Sequence, residues 1–258
     1  MTAIRTWLTT VLFWSYLVST LPLWWLVSLP VALISIVTDS QRKLLHTFSC
    51  VWGYHYIAWL PLWKVSWAGR HNIVDGEPYV LVANHQSLGD IIALYGLFKH
   101  FKWVSKSSIF KVPFIGWNMR ANAYIPIVRG DRVSVVHMLE LCRQHLQDGS
   151  SIMMFPEGTR SHDGRLKAFK PGAFALAQDL GIKVVPIVID GTAEALPKSG
   201  FMLRNPWHMP IQISVLPPVE ATQAKTPADL ATAVQDAMAT ELARMRDVER
   251  TEVLASHR

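Results

Sequence analysis

From Thr6 to Thr38 the chain carries no charged residue. A bilayer crossing needs about 20 predominantly apolar residues, and this run exceeds that length. Pro22 and Pro30 interrupt it. A proline inside a helix removes one backbone hydrogen bond and favours a kink or break. Two readings follow: one tilted, kinked transmembrane helix, or two shorter helices that dip into one leaflet as a hairpin. A cleaved signal peptide fits poorly, because the stretch is too long and no small-x-small site follows it. Arg42 and Lys43, just past the run, favour a cytoplasmic position for that end.

Residues 48–67 continue the theme with Trp52, Tyr54, Tyr56, Trp59, Trp63 and Trp67 among few charges. Tryptophan favours the membrane–water boundary, where its ring and its N–H both find partners. The stretch reads as an interfacial segment, with an aromatic core helix as the alternative and His55 as a satisfied polar group among the rings. Residues 1–63 are therefore expected to form a membrane-anchoring segment ahead of a domain over 64–258.

Only 17% of the 258 residues are charged, against about 25% in average soluble domains, so part of the chain is expected not to face water. The net charge of +6 suits an anionic surface or substrate. The basic residues are scattered and no recognition motif accompanies them, which argues against nucleic acid. Cys50 and Cys142 lie far apart in apolar surroundings, with neither a disulfide framework nor metal-ligand spacing. A reducing compartment and a site on the cytoplasmic side of an inner membrane are expected.

Beyond Lys64 short apolar runs alternate with amphipathic stretches. Candidate strands are 64–67, 79–83, 103–105, 124–128, 151–155, 184–189 and 211–216. Candidate helices are 88–99, 131–147, 171–180 and 227–250. Strands alternating with helices predict a layered α/β domain.

The strand at 79–83 runs directly into Asn84-His85-Gln86-Ser87-Leu88-Gly89-Asp90. On a continuous helix, residues five apart point about 140° away from each other. His85 and Asp90 meet only if the segment between them turns, as Ser87 and Gly89 permit. A carboxylate on one imidazole nitrogen fixes the tautomer and leaves the other nitrogen to take a proton. The blander reading makes Asp90 a helix cap and His85 a turn residue. A second junction, Phe155-Pro156-Glu157-Gly158-Thr159-Arg160-Ser161, follows another apolar strand. Arg129, Arg160, Arg165, Lys167 and Lys170 sit at or after such junctions, and the planar arginine fork suits bidentate phosphate binding.

Asn-His-Gln-Ser-Leu-Gly-Asp resembles the His-x4-Asp box of the glycerolipid acyltransferases, and Phe-Pro-Glu-Gly-Thr-Arg-Ser resembles their third block. Ala123–Arg129 is similar to the second block and Val184–Ile189 to the fourth. Over roughly 64–220 the chain most resembles the bacterial 1-acylglycerol-3-phosphate acyltransferases. The resemblance implies an α/β layer with a central mixed sheet, membrane attachment and acyl transfer from acyl-CoA or acyl carrier protein to a lysophospholipid hydroxyl. It makes His85 the base and Asp90 its orienting partner. Arg129, Glu157, Gly158, Thr159, Arg160 and Lys106 would surround the phosphate-bearing acceptor, with Glu157 acting by positioning Arg160. No metal or other cofactor is implied. Ala123 stands where that family commonly has glycine, and Pro126 where phenylalanine is common. Hydrolysis of the acyl group by water, and a non-catalytic membrane adaptor, are the rival classes.

Overall fold

The computed structural model describes residues 2–58, 63–161, 163–197, 200–204 and 209–256. Helix α1 (Thr2–Thr38) is a single helix with Pro22 and Pro30 inside it. A turn at 39–42 leads into α2 (Lys43–Ala58), which packs back against α1. The aromatic stretch at 48–67 is thus not one element. Its first half is the end of α2, its last residues form strand β1 (Trp63–Ala68), and Trp59 lies outside the described residues. Trp52, His55, Tyr56 and Ile57 of α2 are buried. The Trp24 indole donates to His55 Nε2 at 3.1 Å, so His55 is satisfied within the helix pair.

The sheet is completed by β2 (Val80–Ala83), β3 (Phe101–Lys106), β4 (Ile125–Ile127), β5 (Ser151–Met154), β6 (Val184–Asp190) and β7 (Met209–Val215). Its order is β1-β7-β6-β2-β5-β3-β4. Strands β6, β2, β5, β3 and β4 are mutually parallel, and β7 joins β6 antiparallel with β1 parallel to β7. The sheet is mixed, as expected.

Between these strands lie α3 (Gly89–Tyr95), α4 (Ile115–Ala121), α5 (Arg132–Gln147), α6 (Gly172–Leu180) and α7 (Thr192–Ala195), and α8 (Pro227–Ser256) follows β7. The periodicity expected a helix to residue 99, but α3 stops at Tyr95. Gly96 and Leu97 close back onto the carbonyls of Ala93 and Leu94, and Phe98 turns left-handed at φ 52°. Helix α4 has no counterpart in the sequence reading, its seven residues being too few for a clear period.

Both faces of the central strands are covered, so those strands are continuous apolar runs rather than alternating ones. Tyr79, Leu81 and Ala83 face one core with Phe13 of α1, Ile57 of α2 and Leu94 of α3. Val80 and Val82 face a second core with Cys142 of α5, Phe174 of α6 and Met238 of α8. Because β2, β5 and β6 are parallel neighbours, their carboxyl ends share one edge. Ligands of open α/β sheets bind at that edge.

Candidate active site

Strand β2 ends in a turn that is fastened to β6. The Asn84 side chain donates to Ile189 O and accepts from Ile189 N–H, both at 2.8 Å, and so continues the ladder in place of backbone. His85 and Asp90 meet at 2.7 Å between Nδ1 and Oδ2. Asp90 is fully buried, and His85 is 6% exposed. The same Oδ2 accepts the backbone N–H groups of Gln86 at 2.7 Å and Ser87 at 2.9 Å. Asp90 therefore bends the preceding turn around itself instead of capping its own helix. Three hydrogen bonds on one buried oxygen hold the Asp90 side chain against the turn. Its acceptor role puts the imidazole proton on Nδ1 and leaves the lone pair on Nε2.

Ring orientation is fixed from the side. Phe155 stacks on His85 at 4.0 Å between centroids with 12° between planes, and Trp103 stands behind Phe155 at 5.7 Å. The carboxylate on one edge and the ring on one face restrict rotation of the imidazole about χ2.

The loop after β5 wraps onto this turn. Glu157 is 5% exposed, and Oε1 accepts the His85 backbone N–H at 2.9 Å. Oε2 accepts the Lys167 N–H at 3.2 Å. Ser161 N–H donates to His85 O at 2.7 Å, closing the two segments together. Burial pushes the Glu157 carboxyl up to about 7, against the opposing pull of the two amides and the Lys167 charge. Gly158 is left-handed at φ 71°, and a Cβ there would lie 2.9 Å from Lys170 Nζ. Lys167 Nζ donates to Arg160 O at 2.9 Å. Arg160, Lys167 and Lys170 thus gather on one loop beside the His85 turn, where an anion can be met by several cations.

The sequence-derived residues do not all converge. His85, Asp90, Glu157 and Gly158 form one hydrogen-bonded and packed unit, with Thr159 and Arg160 next in the same loop. Lys106 is exposed at the end of β3, and Arg129 is exposed in the turn after β4. Both sit at the same edge of the sheet, one and two strands beyond β5, or about 5 and 10 Å at the usual strand spacing. Among the described residues no group of three or more His, Cys, Asp or Glu side chains is placed to hold a metal ion.

Three contributors escaped the sequence reading. Thr192, buried at the start of α7, donates a hydrogen bond from Oγ1 to Asp90 Oδ1. Phe155 and Asn84 lie inside the motifs, yet neither carries chemistry that would single it out. Phe155's position next to the Glu157 turn was the available signal. Thr192 had none, since only the pairing of β2 with β6 brings it near Asp90.

The fold and this paired-motif site are those of an acyltransferase domain, and comparison with known proteins agrees. Residues 64–190 match the family model described as Acyltransferase. The chain is 38% identical over 185 residues to the chloroplastic 1-acyl-sn-glycerol-3-phosphate acyltransferase LPAT1 of Arabidopsis thaliana, covering 71% of this chain and 51% of that protein. It is 38% identical over 208 residues to a 1-acyl-sn-glycerol-3-phosphate acyltransferase of Chlamydomonas reinhardtii, covering 80% of this chain and 61% of the relative. Over 184 residues it is 32% identical to the alpha form of Mus musculus, covering 69% and 63%. The chain thus spans roughly half to under two thirds of the length of these relatives. In fold it is similar to the crystal structure of the 1-acyl-sn-glycerophosphate (LPA) acyltransferase PlsC from Thermotoga maritima. That match has a TM-score of 0.80 at 24% identity and covers 95% of this chain and 98% of the other. The chain belongs to the acyltransferase family.

Proposed function

We propose that the protein transfers a fatty acyl group from a thioester donor, acyl-CoA or acyl carrier protein, to the free hydroxyl of 1-acyl-glycerol-3-phosphate, giving phosphatidic acid. The observation that carries this reading is the His85–Asp90 pair at 2.7 Å, beside a loop that holds Arg160, Lys167 and Lys170. His85 Nε2 takes the proton from the acceptor hydroxyl as its oxygen attacks the thioester carbonyl. The Asp90 carboxylate stabilises the imidazolium that forms. The carbon–sulfur bond breaks, the thiolate leaves, and the imidazolium returns its proton to it. The acceptor phosphate is held by Arg160 and its neighbouring lysines, with Lys106 and Arg129 further along the edge. Glu157 acts by holding the loop rather than by touching an anion, because both its oxygens face backbone amides.

Attachment to a membrane belongs to the same proposal. Helix α1 is long and apolar enough to cross a bilayer. Trp7, Leu12, Leu33 and Val37 stand exposed on it. At about 0.8 kcal/mol per methylene, drawing a 16-carbon tail into water costs on the order of 12 kcal/mol, so a site at the membrane surface avoids a large penalty. The cations that follow α1 favour the cytoplasmic side of an inner membrane.

The test is acyl transfer by the detergent-purified protein, given labelled acyl-CoA or acyl carrier protein and a panel of lysophospholipids, with His85→Ala in parallel. Loss of a positioned base costs about 10²- to 10⁴-fold in rate. Phosphatidic acid formed by the wild type and not by the variant is the expected result. Transfer only to a lysolipid with a larger headgroup replaces the substrate, and free fatty acid released without an acceptor makes the protein a hydrolase.

A further inference from the structure

We infer that Thr192 is a positioning residue for the His85–Asp90 pair, its hydroxyl setting the plane of the Asp90 carboxylate. The inference rests on the general-base reading above and adds a member to that site. The three donors to Asp90 Oδ2 (His85 Nδ1, Gln86 N–H and Ser87 N–H) all come from residues 85–87, the segment the carboxylate itself folds. A carboxylate held through one oxygen remains free to turn about Cβ–Cγ, because that torsion has a broad, shallow preference. Among the described residues, the hydrogen bond to Oδ1 comes from Thr192 Oγ1, on an element 102 residues away in the chain. Two oxygens bonded to two independent elements leave the plane no freedom. The plane in turn sets the direction of the Nδ1–H bond and hence the direction of the Nε2 lone pair.

The surrounding backbone is built to deliver this hydroxyl. Gly191 is left-handed at φ 88°, where an added Cβ would collide with the Pro210 carbonyl oxygen, so α7 can start only from this residue. Ser87 Oγ donates to Leu196 O at 2.6 Å, tying the far end of α7 to the same turn. The Thr192 Cγ2 methyl lies 3.9 Å from the place a Gly89 Cβ would occupy, so the side chain is seated on α3 as well. Thr192 is 1% exposed, so bulk solvent does not reach this hydrogen bond.

Thr192→Val keeps the branched shape and removes the hydroxyl, whereas Thr192→Ser keeps the hydroxyl and removes the methyl. The full chain in detergent is compared in three measurements: kcat and acceptor KM, the pH dependence of kcat/KM, and ¹⁵N-histidine spectra that report the His85 tautomer without any substrate. Thr192→Val is expected to lower kcat by about 10- to 100-fold, as small misplacements of a catalytic group do. Its acceptor KM should stay within about two-fold, its acid limb should move by about half a unit or more, and its Nδ1–H tautomer should become a mixture. Thr192→Ser is expected to stay within about three-fold of wild type with the limb and the tautomer unchanged. Equal impairment of both variants with an unmoved limb and tautomer would reduce Thr192 to a packing residue and overturn the inference. A valine variant with wild-type kcat and tautomer would do the same. If the wild type transfers no acyl group, the acyltransferase reading fails while the tautomer measurement still decides the role of Thr192.

Discussion

Glu157 Oε1 accepts the backbone N–H of His85 at 2.9 Å, so the acidic residue of the second motif holds the main chain of the first. With Oε2 on the Lys167 N–H, the carboxylate is a clamp between the base and the cation-bearing loop. Glu157→Gln keeps the shape but turns one N–H toward an amide nitrogen that cannot accept it. Leaving a buried donor unmade costs about 1–3 kcal/mol. The expected outcome in chemical denaturation is a loss of that size, with kcat falling more than acceptor KM rises. A variant with intact stability and a raised acceptor KM would instead place the carboxylate in the binding surface.

The clamp is also sensitive to pH. The folded Glu157 carboxyl is pushed up to about 7 by burial, from an ordinary value of 4.5. The folded state therefore binds a proton that the unfolded chain has already released between those limits. The stability it contributes is fully present below pH 4.5 and is lost as pH rises through 7. The melting-temperature gap between wild type and Glu157→Gln should narrow steadily across that window. A gap that widens with pH would contradict the assignment.

His100 works in the opposite direction. Burial, with the Lys102 and Lys43 charges, lowers it from 6.5 to about 4, while Asp39 opposes the shift. Its Nε2 meets Ser150 Oγ at 3.0 Å, and its buried Nδ1 has no partner among the described residues. The unfolded chain takes up this proton first on acidification, so stability is fully present above 6.5 and is lost as pH falls toward 4. Equilibrium unfolding at pH 7, 5.5 and 4.5 should show His100→Gln losing less stability than wild type over that range.

Lys102 is fully buried in the centre of the chain, and its ammonium donates to Gln41 O at 2.6 Å and Asn122 O at 2.8 Å. It thereby fastens the turn between α1 and α2 to the sheet, and the Gln41 side chain adds a bond to Asp148 O. Lys102→Met removes the donor and strands two carbonyls, so a loss of about 2–3 kcal/mol is expected. Trypsin should then cut faster after Arg42 or Lys43. Unchanged cleavage would mean that α1 and α2 are held to the sheet by their apolar contacts alone.

Much of this architecture was legible before any coordinates. Each of the seven candidate strands overlaps an observed one, because the strands are bounded apolar runs separated by turn residues. His85 and Asp90 could be named because five residues and a glycine are a local matter. The His85 N–H as a partner of Glu157 could not, since only the pairing of β5 with β2 brings the two segments together. Thr192 was invisible for the same reason: strand order, which short apolar runs do not encode, decides that β6 lies beside β2. The direction in which Trp52 and Tyr56 turn stayed open in the sequence, because an aromatic face suits lipid and protein alike; the structure buries both.

Ala123, where the family commonly has glycine, is left-handed at φ 54°. It is the residue that closes α4. Its N–H bonds Arg120 O at 2.9 Å and the Tyr124 N–H bonds Met119 O at 3.0 Å, the paired pattern of a Schellman motif. A residue with a Cβ pays about 1–2 kcal/mol for this conformation, because the Cβ crowds the following carbonyl. Glycine avoids that strain but loses more backbone entropy on folding, roughly 0.5–1 kcal/mol. Ala123→Gly should therefore stabilise the protein by a net of about 0.5–1 kcal/mol, read as a higher denaturation midpoint at an unchanged slope. The side chain is exposed, so no packing is lost in the exchange. Tyr124 follows immediately, with its hydroxyl 2.8 Å from His46 Nδ1, so a relaxed turn would also ease the seating of α2 on the sheet. A lowered midpoint would show instead that the chain gains more from restricting its unfolded state at 123 than it spends on the strained angle.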